Sequence, residues 1–409
     1  MRLLERAKIG MFMLRTVSSP LMLTASPSLQ LTKKSNSSLC IEIGENKMPA
    51  LLKEMYNHES LHELALLIQS AYQPFQVDSF LKSTMDETWD KLELKARMRQ
   101  VSTKMGKYLP VDYKVAIGIL DKIVAKVERG LFGLIFPDFV EVYGQDETDW
   151  TLSMEALEKY TVYSSAEFAV RPFIIHHEAR MMAQMYAWSN HENEHVRRLA
   201  SEGCRPQLPW GQSLPKYKKD PTPILPILEQ LKADPSLYVR RSVANNLNDI
   251  AKTHPALVTE IAQKWYGENE ETNWLIKHGC RTLLKKGNRH VLAIFGYDDG
   301  ATIEIADFSL NATTVSIGNA LTFSFKIEVA KPTKIRLEYG IDFVKANGKT
   351  NRKIFQISER MLKENEQQSY TKTHTFADLS TRKHYPGLHG ITLIVNGVER
   401  GKVDFNLKA

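Results

Sequence analysis

The 409-residue sequence predicts a mainly α protein, an α-solenoid of helical repeats, that is followed by an all-β sandwich. Two segments, 195–210 and 238–249, begin with an aromatic ring and Val-Arg-Arg and then place an apolar residue at every third or fourth position. Their leading arginines, Arg197 and Arg240, are 43 residues apart. This spacing is typical of HEAT-like repeats, in which two antiparallel helices form one unit. Beyond about Gly300 the apolar period changes to two, which indicates strands.

The helical phase of the two segments separates an apolar stripe from a polar row. The stripe, which would face the neighbouring repeats, contains Val239, Val243, Leu247 and Ile250. The polar row contains Tyr238, Arg241, Asn245 and Asp249 in the second segment and His195, Arg198 and Glu202 in the first. Stacking the repeats would place Glu202 beside Asn245, with Asp249 one turn along. The row is either a binding or catalytic surface or the structural face of ordinary repeats, in which arginines pair with acids, and phase alone leaves both open.

Helical periodicity extends over most of the chain from Ala50 to Lys286. The predicted helical segments are 51–56, 62–70, 77–92, 91–108, 115–127, a helix from about 153, then 181–188, 225–231, 238–252, 255–265 and 273–286. Between Gly130 and Trp150, aromatic residues alternate with Gly and Pro, so we expect a packed connection there.

Two short motifs in the helical region carry candidate functional residues. Ser164 and Glu167 resemble a helix N-cap followed by an acid, and Arg171 lies one turn after Glu167, as in an ordinary helix salt bridge. Pro172 then marks a kink or a helix end. Trp210 lies in a proline-rich loop, where its ring is either a hydrophobic plug or an exposed stacking platform for a base.

The C-terminal part predicts seven short strands in about 100 residues, which is typical of an immunoglobulin-like sandwich, here without a disulfide. The strands are 302–310, 321–329, 334–344, 353–357, 370–376, 390–395 and 402–407. Asn347-Gly348 and Asn396-Gly397 predict hairpin turns of the primed type. The basic residues around the first hairpin suit a phosphate backbone or merely protect an exposed edge: Lys345, Lys349, Arg352 and Lys353.

Composition limits the class of partner and of site. The net charge of +7 and the isoelectric point of about 9.0 suit a polyanionic partner. The three cysteines, Cys40, Cys204 and Cys280, occur in no metal-binding spacing, which indicates a reducing compartment and argues against structural zinc. No apolar run approaches the roughly 18 residues of a membrane span.

The first 47 residues differ from the rest of the chain, being rich in Ser and Thr with several early basic residues. Their apolar patch is short and is closed by Arg15, which disfavours a secretory signal; an organelle transit-like tail and a natural start at Met48 are the other interpretations. We expect residues 1–47 to be disordered or an artefactual extension. The predicted domains are then a helical-repeat domain, 48–298, and the sandwich, 299–409.

Three segments together resemble the DNA alkylation repair glycosylases of the AlkC type, which are related to the AlkD HEAT-repeat glycosylases. They are Glu167-Phe-Ala-Val-Arg-Pro-Phe, His195-Val-Arg-Arg-Leu-Ala-Ser-Glu-Gly-Cys-Arg-Pro-Gln-Leu-Pro-Trp, and Val239-Arg-Arg-Ser-Val-Ala-Asn-Asn-Leu-Asn-Asp-Ile-Ala-Lys-Thr-His-Pro. The resemblance covers roughly Met48 to the C-terminus and includes the appended sandwich of one subgroup. It implies a monofunctional, monomeric, cytoplasmic bacterial enzyme that removes 3-methyladenine and 3-methylcytosine from double-stranded DNA and leaves an abasic site. Unlike most glycosylases, such enzymes are expected to act without a deep base pocket.

The resemblance also implies roles for named residues. Glu167, Glu202 and Asp249 would be catalytic, because carboxylates can stabilise an oxocarbenium-like sugar and position a water. An alkylated ring nitrogen already makes the base a good leaving group, so no strong general acid is needed. The residues expected to contact DNA or the lesion are Trp210, Arg171, Arg198, Arg205, Arg241, Asn245, Lys349 and Arg352.

Two other classes compete with this interpretation. A non-enzymatic repeat scaffold explains the repeats and the sandwich, but not three acids beside several arginines and a proline-flanked tryptophan. A non-catalytic DNA-binding protein would keep the groove without needing all three acids. We expect no metal and no organic cofactor, and no membrane partner.

Overall fold

The computed structural model describes residues 52–298, 303–378 and 383–409, and its helices all precede its strands. This order confirms the predicted fold class. The α-helices are α1 His58–Ala71, α2 Val77–Thr84, α3 Leu94–Tyr108, α4 Tyr113–Ile123, α5 Ile135–Tyr143, α6 Trp150–Tyr160, α7 Val170–His176, α8 Glu178–Trp188, α9 Glu194–Gly203, α10 Pro215–Lys219, α11 Leu225–Leu231, α12 Leu237–Ile250, α13 Pro255–Trp265, α14 Glu270–Gly279, α15 Arg281–Lys285 and α16 Arg289–Ile294. Short 3-10 segments occupy Leu52–Met55, Trp89–Lys91, Val124–Lys126, Phe132–Leu134, Glu147–Asp149 and Thr222–Ile224. The predicted extension, 1–47, lies outside the described residues.

The helices α9, α12 and α14 stack side by side and present equivalent faces. In α12 the predicted apolar stripe is completely buried, which confirms the assignment of its faces. Polar contacts join α9 to α12: Ser201 donates to Ser242 at 2.6 Å, and Asn246 donates to the carbonyl of Ser201 at 2.8 Å. Because all three side chains are buried, these hydrogen bonds set the register between the two repeats.

Several predicted helix boundaries differ from the structure. The expected connection between Gly130 and Trp150 contains helix α5, with Pro137 at its third residue. A proline in the first turn costs little, because its missing N–H would have no intrahelical partner there. Pro172 occupies the same kind of position in α7, so it marks the start of a helix, and not the predicted kink or end.

Within 303–378 and 383–409, eight strands form two sheets packed face to face. The strands are β1 Ile303–Leu310, β2 Thr314–Ser316, β3 Ala320–Val329, β4 Thr333–Val344, β5 Thr350–Leu362, β6 Glu366–Thr375, β7 Gly387–Val395 and β8 Val398–Lys408. One sheet has the order β1-β3-β6 and the other β2-β8-β7-β4-β5. The three-residue β2, parallel to β8, was not predicted because so short a strand shows no clear period. Buried residues of both sheets form a core of their own.

The two predicted hairpins exist, but only one has the predicted turn. Asn396 and Gly397 both have positive φ, 49° and 78°, as a two-residue primed turn requires. In the other hairpin only Gly348 has positive φ, and the loop runs from Lys345 to Lys349. The expectation of a primed turn at Asn347-Gly348 is therefore wrong; a longer loop with a left-handed glycine takes its place.

The Asn396-Gly397 turn also packs against the end of the helical region. A Cβ on Gly287 would lie 2.8 Å from the Gly397 carbonyl oxygen, so the two backbones are in close contact. Glu359 of β5 accepts from both Lys277 of α14 and Arg336 of β4. Arg336 is 4% exposed and also pairs with Glu338 at 2.6 Å, so the sandwich side of this link is buried, while Lys277 on the helical side is 40% exposed.

Candidate active site

Side chains from three neighbouring parts of the repeat stack form a row of alternating charges. This charge row consists of Glu167, Arg198, Glu202, Arg205 and Asp249. The guanidinium of Arg198 lies 2.6 Å from the Glu167 carboxylate and 3.6 Å from that of Glu202. Arg205 donates to Glu202 at 2.6 Å and to Asp249 at 2.9 Å. The predicted acids are thus brought together, and three carboxylates share the two guanidiniums.

Helix geometry explains why the side chains of the charge row lie close together. Arg198 and Glu202 lie one turn apart on α9, and Arg205 follows the end of α9. Burial alone would lower the pKa of both arginines, but the neighbouring carboxylates outweigh it and raise the pKa of each above its ordinary value. Both guanidiniums therefore stay protonated.

Hydroxyl groups complete the shell of the acids. Ser165 donates to Glu167 at 2.7 Å, and Ser242 donates to the second oxygen of Glu202 at 2.6 Å. Glu202 therefore lies beside Ser242, and its predicted neighbour Asn245 instead accepts a hydrogen bond from Arg281 at 3.0 Å. The stacking prediction had the correct helices but was about one turn in error, since Ser242 and not Asn245 lies beside Glu202.

The charge row forms one side of an open pocket of about 570 Å³, the Trp210 pocket. Its wall is mainly apolar and aromatic, and its lining includes Leu131, Leu134, Tyr163, Phe168, Leu208, Pro209, Trp210 and Tyr238 besides Glu167, Arg198, Glu202 and Arg205. Trp210 is 59% exposed, which excludes the alternative of a buried plug. Among the lining residues in the described part of the chain there is no lysine.

Asp249 belongs to the charge row but not to the pocket wall. Its side chain is 2% exposed and lies between Arg205 and Lys252, whose ammonium is 2.8 Å away. Glu167 and Glu202, in contrast, both line the pocket. Glu167 and Glu202 are therefore the acids open to direct contact with a ligand, and Asp249 is joined to the pocket lining through Arg205.

The structure contradicts the expected DNA contact of Arg171. Its side chain is completely buried and donates to the carbonyls of Gly203 at 2.8 Å, Arg205 at 2.9 Å and Gln212. Burial lowers its pKa to about 10, so the guanidinium remains charged at neutral pH. The expected helix salt bridge with Glu167 is also wrong, because Glu167 precedes α7 and pairs with Arg198.

Helix α14, the third of the stacked helices, extends the polar surface beyond the pocket. Arg241 is exposed near His278, while Asn245 binds Arg281. The His278 ring stacks on Trp274 with centroids 5.3 Å apart, and burial, together with the charges of Arg281 and Arg241, lowers its pKa to about 4. The sequence signal for this surface is Gly279-Cys280-Arg281, which repeats Gly203-Cys204-Arg205. The Val-Arg-Arg motif does not reveal it, because helix α14 lacks that motif.

The two basic residues expected to contact DNA from the sandwich differ in their surroundings. Lys349 is exposed in the β4–β5 loop. Arg352 pairs with Asp342 at 2.7 Å and also with Glu399. Acidic neighbours thus already neutralise Arg352, which favours the edge-protecting interpretation for this residue. Neither residue lines the Trp210 pocket.

Over 52–298, 303–378 and 383–409, no three His, Cys, Asp or Glu side chains are grouped so that they could hold a metal ion. In the same ranges no helix has the length and apolar character needed to cross a membrane.

Comparison with known proteins gives consistent results along the chain. Residues 147–283 match the family of DNA alkylation repair enzymes, and residues 304–409 match the C-terminal Ig-like domain of the uncharacterised protein YhaZ. The chain is 49% identical to the uncharacterized protein YhaZ of Bacillus subtilis over 87% of this chain and 99% of that protein. It is also similar to the Pseudomonas fluorescens alkylpurine DNA glycosylase AlkC, solved bound to DNA containing an abasic site analog. That structure is 38% identical with a TM-score of 0.85, over 88% of this chain and 100% of the other.

Similarity at this level, over nearly the full length of both relatives, extends across the helical repeats and the sandwich together. The chain therefore belongs to the AlkC-type family of DNA alkylation repair enzymes with a C-terminal immunoglobulin-like domain.

Proposed function

We propose that this protein is a DNA glycosylase that hydrolyses the N-glycosidic bond of cationic N-alkylated bases, 3-methyladenine and 3-methylcytosine, and leaves an abasic site. The observation that carries the proposal is the charge row beside an exposed tryptophan in one open pocket. The relative AlkC, bound to DNA with an abasic site analog, supports DNA as the partner.

The pocket suits a cationic leaving group. A base alkylated at a ring nitrogen is positively charged, and the face of an indole attracts such a cation. Trp210 is exposed in the pocket, with Phe168 and Tyr163 among the other rings of the lining. The pocket is open, which fits an enzyme that contacts the lesion without enclosing the base.

The acids suit the electron-poor sugar that forms as the base departs. Glu167 and Glu202 place two carboxylates in the pocket lining, and fixed negative charge of this kind stabilises an oxocarbenium-like transition state. Glu202 lies in the pocket lining, so we assign it the water that attacks the sugar. Glu167 and Asp249 then supply negative field.

The pocket lining also supports a monofunctional reaction. A glycosylase that cleaves the strand through a covalent intermediate needs an amine nucleophile at the sugar. The lining of the Trp210 pocket, as far as the described residues show, contains no lysine, and the ammonium of Lys95 beside it is bound to the Trp210 carbonyl at 2.8 Å. Water is therefore the proposed nucleophile, and the strand stays intact after the base leaves. The exposed Arg241 of the next repeat would bind a flanking phosphate. Arg198 and Arg205, although also expected to contact DNA, are held by the carboxylates of the charge row.

The test is release of free base from methylated duplex DNA, resolved by chromatography into 3-methyladenine and 3-methylcytosine. We expect both bases to be released, and the DNA to break only after heating in alkali. Heat-inactivated protein controls for spontaneous depurination, and unmethylated duplex controls for nonspecific cleavage. Binding of the methylated duplex without release of base would instead support a non-catalytic DNA-binding protein.

A further inference from the structure

The loop that carries Trp210 is held in an unfavourable backbone conformation. Trp210 has φ 61°, in the left-handed region that bulky residues rarely adopt. Such a conformation persists only when its surroundings fix it, and it is found most often at functional sites. The contacts that hold this loop therefore control where the indole stands.

Two cations bind the loop, one at its strained residue and one at carbonyls before and after it. Lys95 of α3 donates its ammonium to the Trp210 carbonyl at 2.8 Å, across a separation of 115 residues. Arg171 of α7 donates to the Gln212 carbonyl, two residues later, and to the carbonyls of Gly203 and Arg205. Arg171 thus ties the loop to the end of α9, the helix that carries Glu202.

Lys95 also contacts a residue of the pocket wall. Its ammonium lies 4.6 Å from the centre of the Phe168 ring, and Phe168 lines the Trp210 pocket next to Glu167. The same ammonium therefore contacts the aromatic wall on one side of the pocket and the tryptophan backbone on the other. A half-buried lysine with these two contacts cannot be replaced by a neutral side chain without releasing the Trp210 carbonyl.

We infer that Lys95 is a positioning residue, which together with the buried Arg171 holds Trp210 in the pocket against its backbone strain. The inference rests on the proposed function, because it takes contact between Trp210 and the lesion as the step that positioning serves. Lys95 acts through Trp210 and not by contact with DNA. Its loss should then lower the rate of base release at saturating protein and leave the affinity for DNA nearly unchanged.

The experiment is a double-mutant cycle in the full-length protein between Lys95→Met and Trp210→Ala. Single-turnover rates of base release and affinities for methylated duplex are measured for each variant, with melting temperatures to verify folding. Methionine keeps the unbranched shape and most of the length of the side chain but has no hydrogen-bond donor. Lys95→Met is expected to slow release roughly tenfold, the effect of one hydrogen bond from a charged group, and to cost nothing further in the Trp210→Ala background. Lys95→Arg, which keeps a donor, should restore most of the rate.

Control variants distinguish failure of this inference from failure of the proposed function. Lys107→Met, at an exposed position of the same helix, should change neither rate nor affinity. An equal effect of Lys95→Met with and without the indole, or a loss of affinity at unchanged rate, would overturn the inference and make Lys95 a phosphate contact. If Trp210→Ala keeps the full rate, the role of Trp210 is wrong. If the wild-type protein releases no base, the proposed function itself fails.

Discussion

Arg171 and Arg205 look alike in the sequence, since each is followed by proline, yet they have different kinds of partner. Arg205 binds two carboxylates of the charge row, Glu202 and Asp249. Arg171 binds only backbone carbonyls, and it lies too deep for solvent or DNA to reach. Such a cation is stabilised by the dipoles of three peptide groups. Its role is to hold the chain, so its loss should affect stability first.

At this scale we predict that Arg171→Met destabilises the protein. The substitution leaves the buried carbonyls of Gly203 and Arg205, and that of Gln212, without this donor, so the free energy of unfolding should fall by roughly 3 kcal/mol. Urea denaturation followed by circular dichroism measures the change. The exposed Arg289→Met is the matched control and should alter stability by less than about 0.5 kcal/mol. Equal stability of both variants would show that the carbonyls find other donors.

At the scale of elements, glycines set how closely the stacked helices approach. Gly203, at the end of α9, has the Cγ2 of Val170 only 2.6 Å from where a Cβ would lie, and Met185 at 2.9 Å. Gly279 is equivalent in α14, but there the nearest atom, in Leu247, is 3.2 Å away. The contact between α7 and α9 therefore depends on the missing side chain more strongly than the contact between α12 and α14.

The prediction at this scale compares alanine at the two positions. Gly203→Ala should lower the free energy of unfolding by roughly 1–3 kcal/mol, because Val170 is buried and cannot move aside. Gly279→Ala should cost less, since the overlap is smaller and alanine recovers up to about 1 kcal/mol of helix propensity. Thermal and urea unfolding of both variants measure the difference. A larger loss for Gly279→Ala would contradict the packing described for these helices.

Much of the helical architecture could be predicted because its signals are local. The apolar stripe of α12 and the strand period after Gly300 follow from burial on one face. The partners of polar side chains depend on how neighbouring helices pack, which the sequence does not show. The sequence therefore predicts Asn245 beside Glu202, whereas the structure has Ser242 there. The burial of Arg171 could not be predicted either, because the motif that contains it does not show whether its basic side chain is buried or exposed. The contact between Lys95 and Trp210 spans 115 residues and has no sequence signal.

At the scale of the whole molecule, charge and domain docking are the features that bear on DNA. The net charge of +7 favours association with a polyanion at a salt-dependent affinity. The sandwich is held to the helical region by Glu359, between Lys277 and Arg336, and by the close contact of Gly397 with Gly287. Since Gly397 also forms the β7–β8 turn, a side chain there would disturb both the hairpin and the docking.

The chemistry proposed for the whole molecule depends on the acids of the charge row. Substitution of Glu202 tests it most directly. The measurement is the single-turnover release of 3-methyladenine and 3-methylcytosine from methylated duplex by Glu202→Gln. Glutamine keeps the shape and can still bind Arg205 and Ser242, so folding and DNA affinity should persist. Glu260→Gln, at an exposed position of α13, is the matched control.

We expect Glu202→Gln to slow base release by at least about 100-fold, the loss typical of an electrostatic catalytic group, while the control keeps the wild-type rate. Wild-type rates in both Glu202→Gln and Asp249→Asn would contradict the account, because the charge row would then play no part in the chemistry.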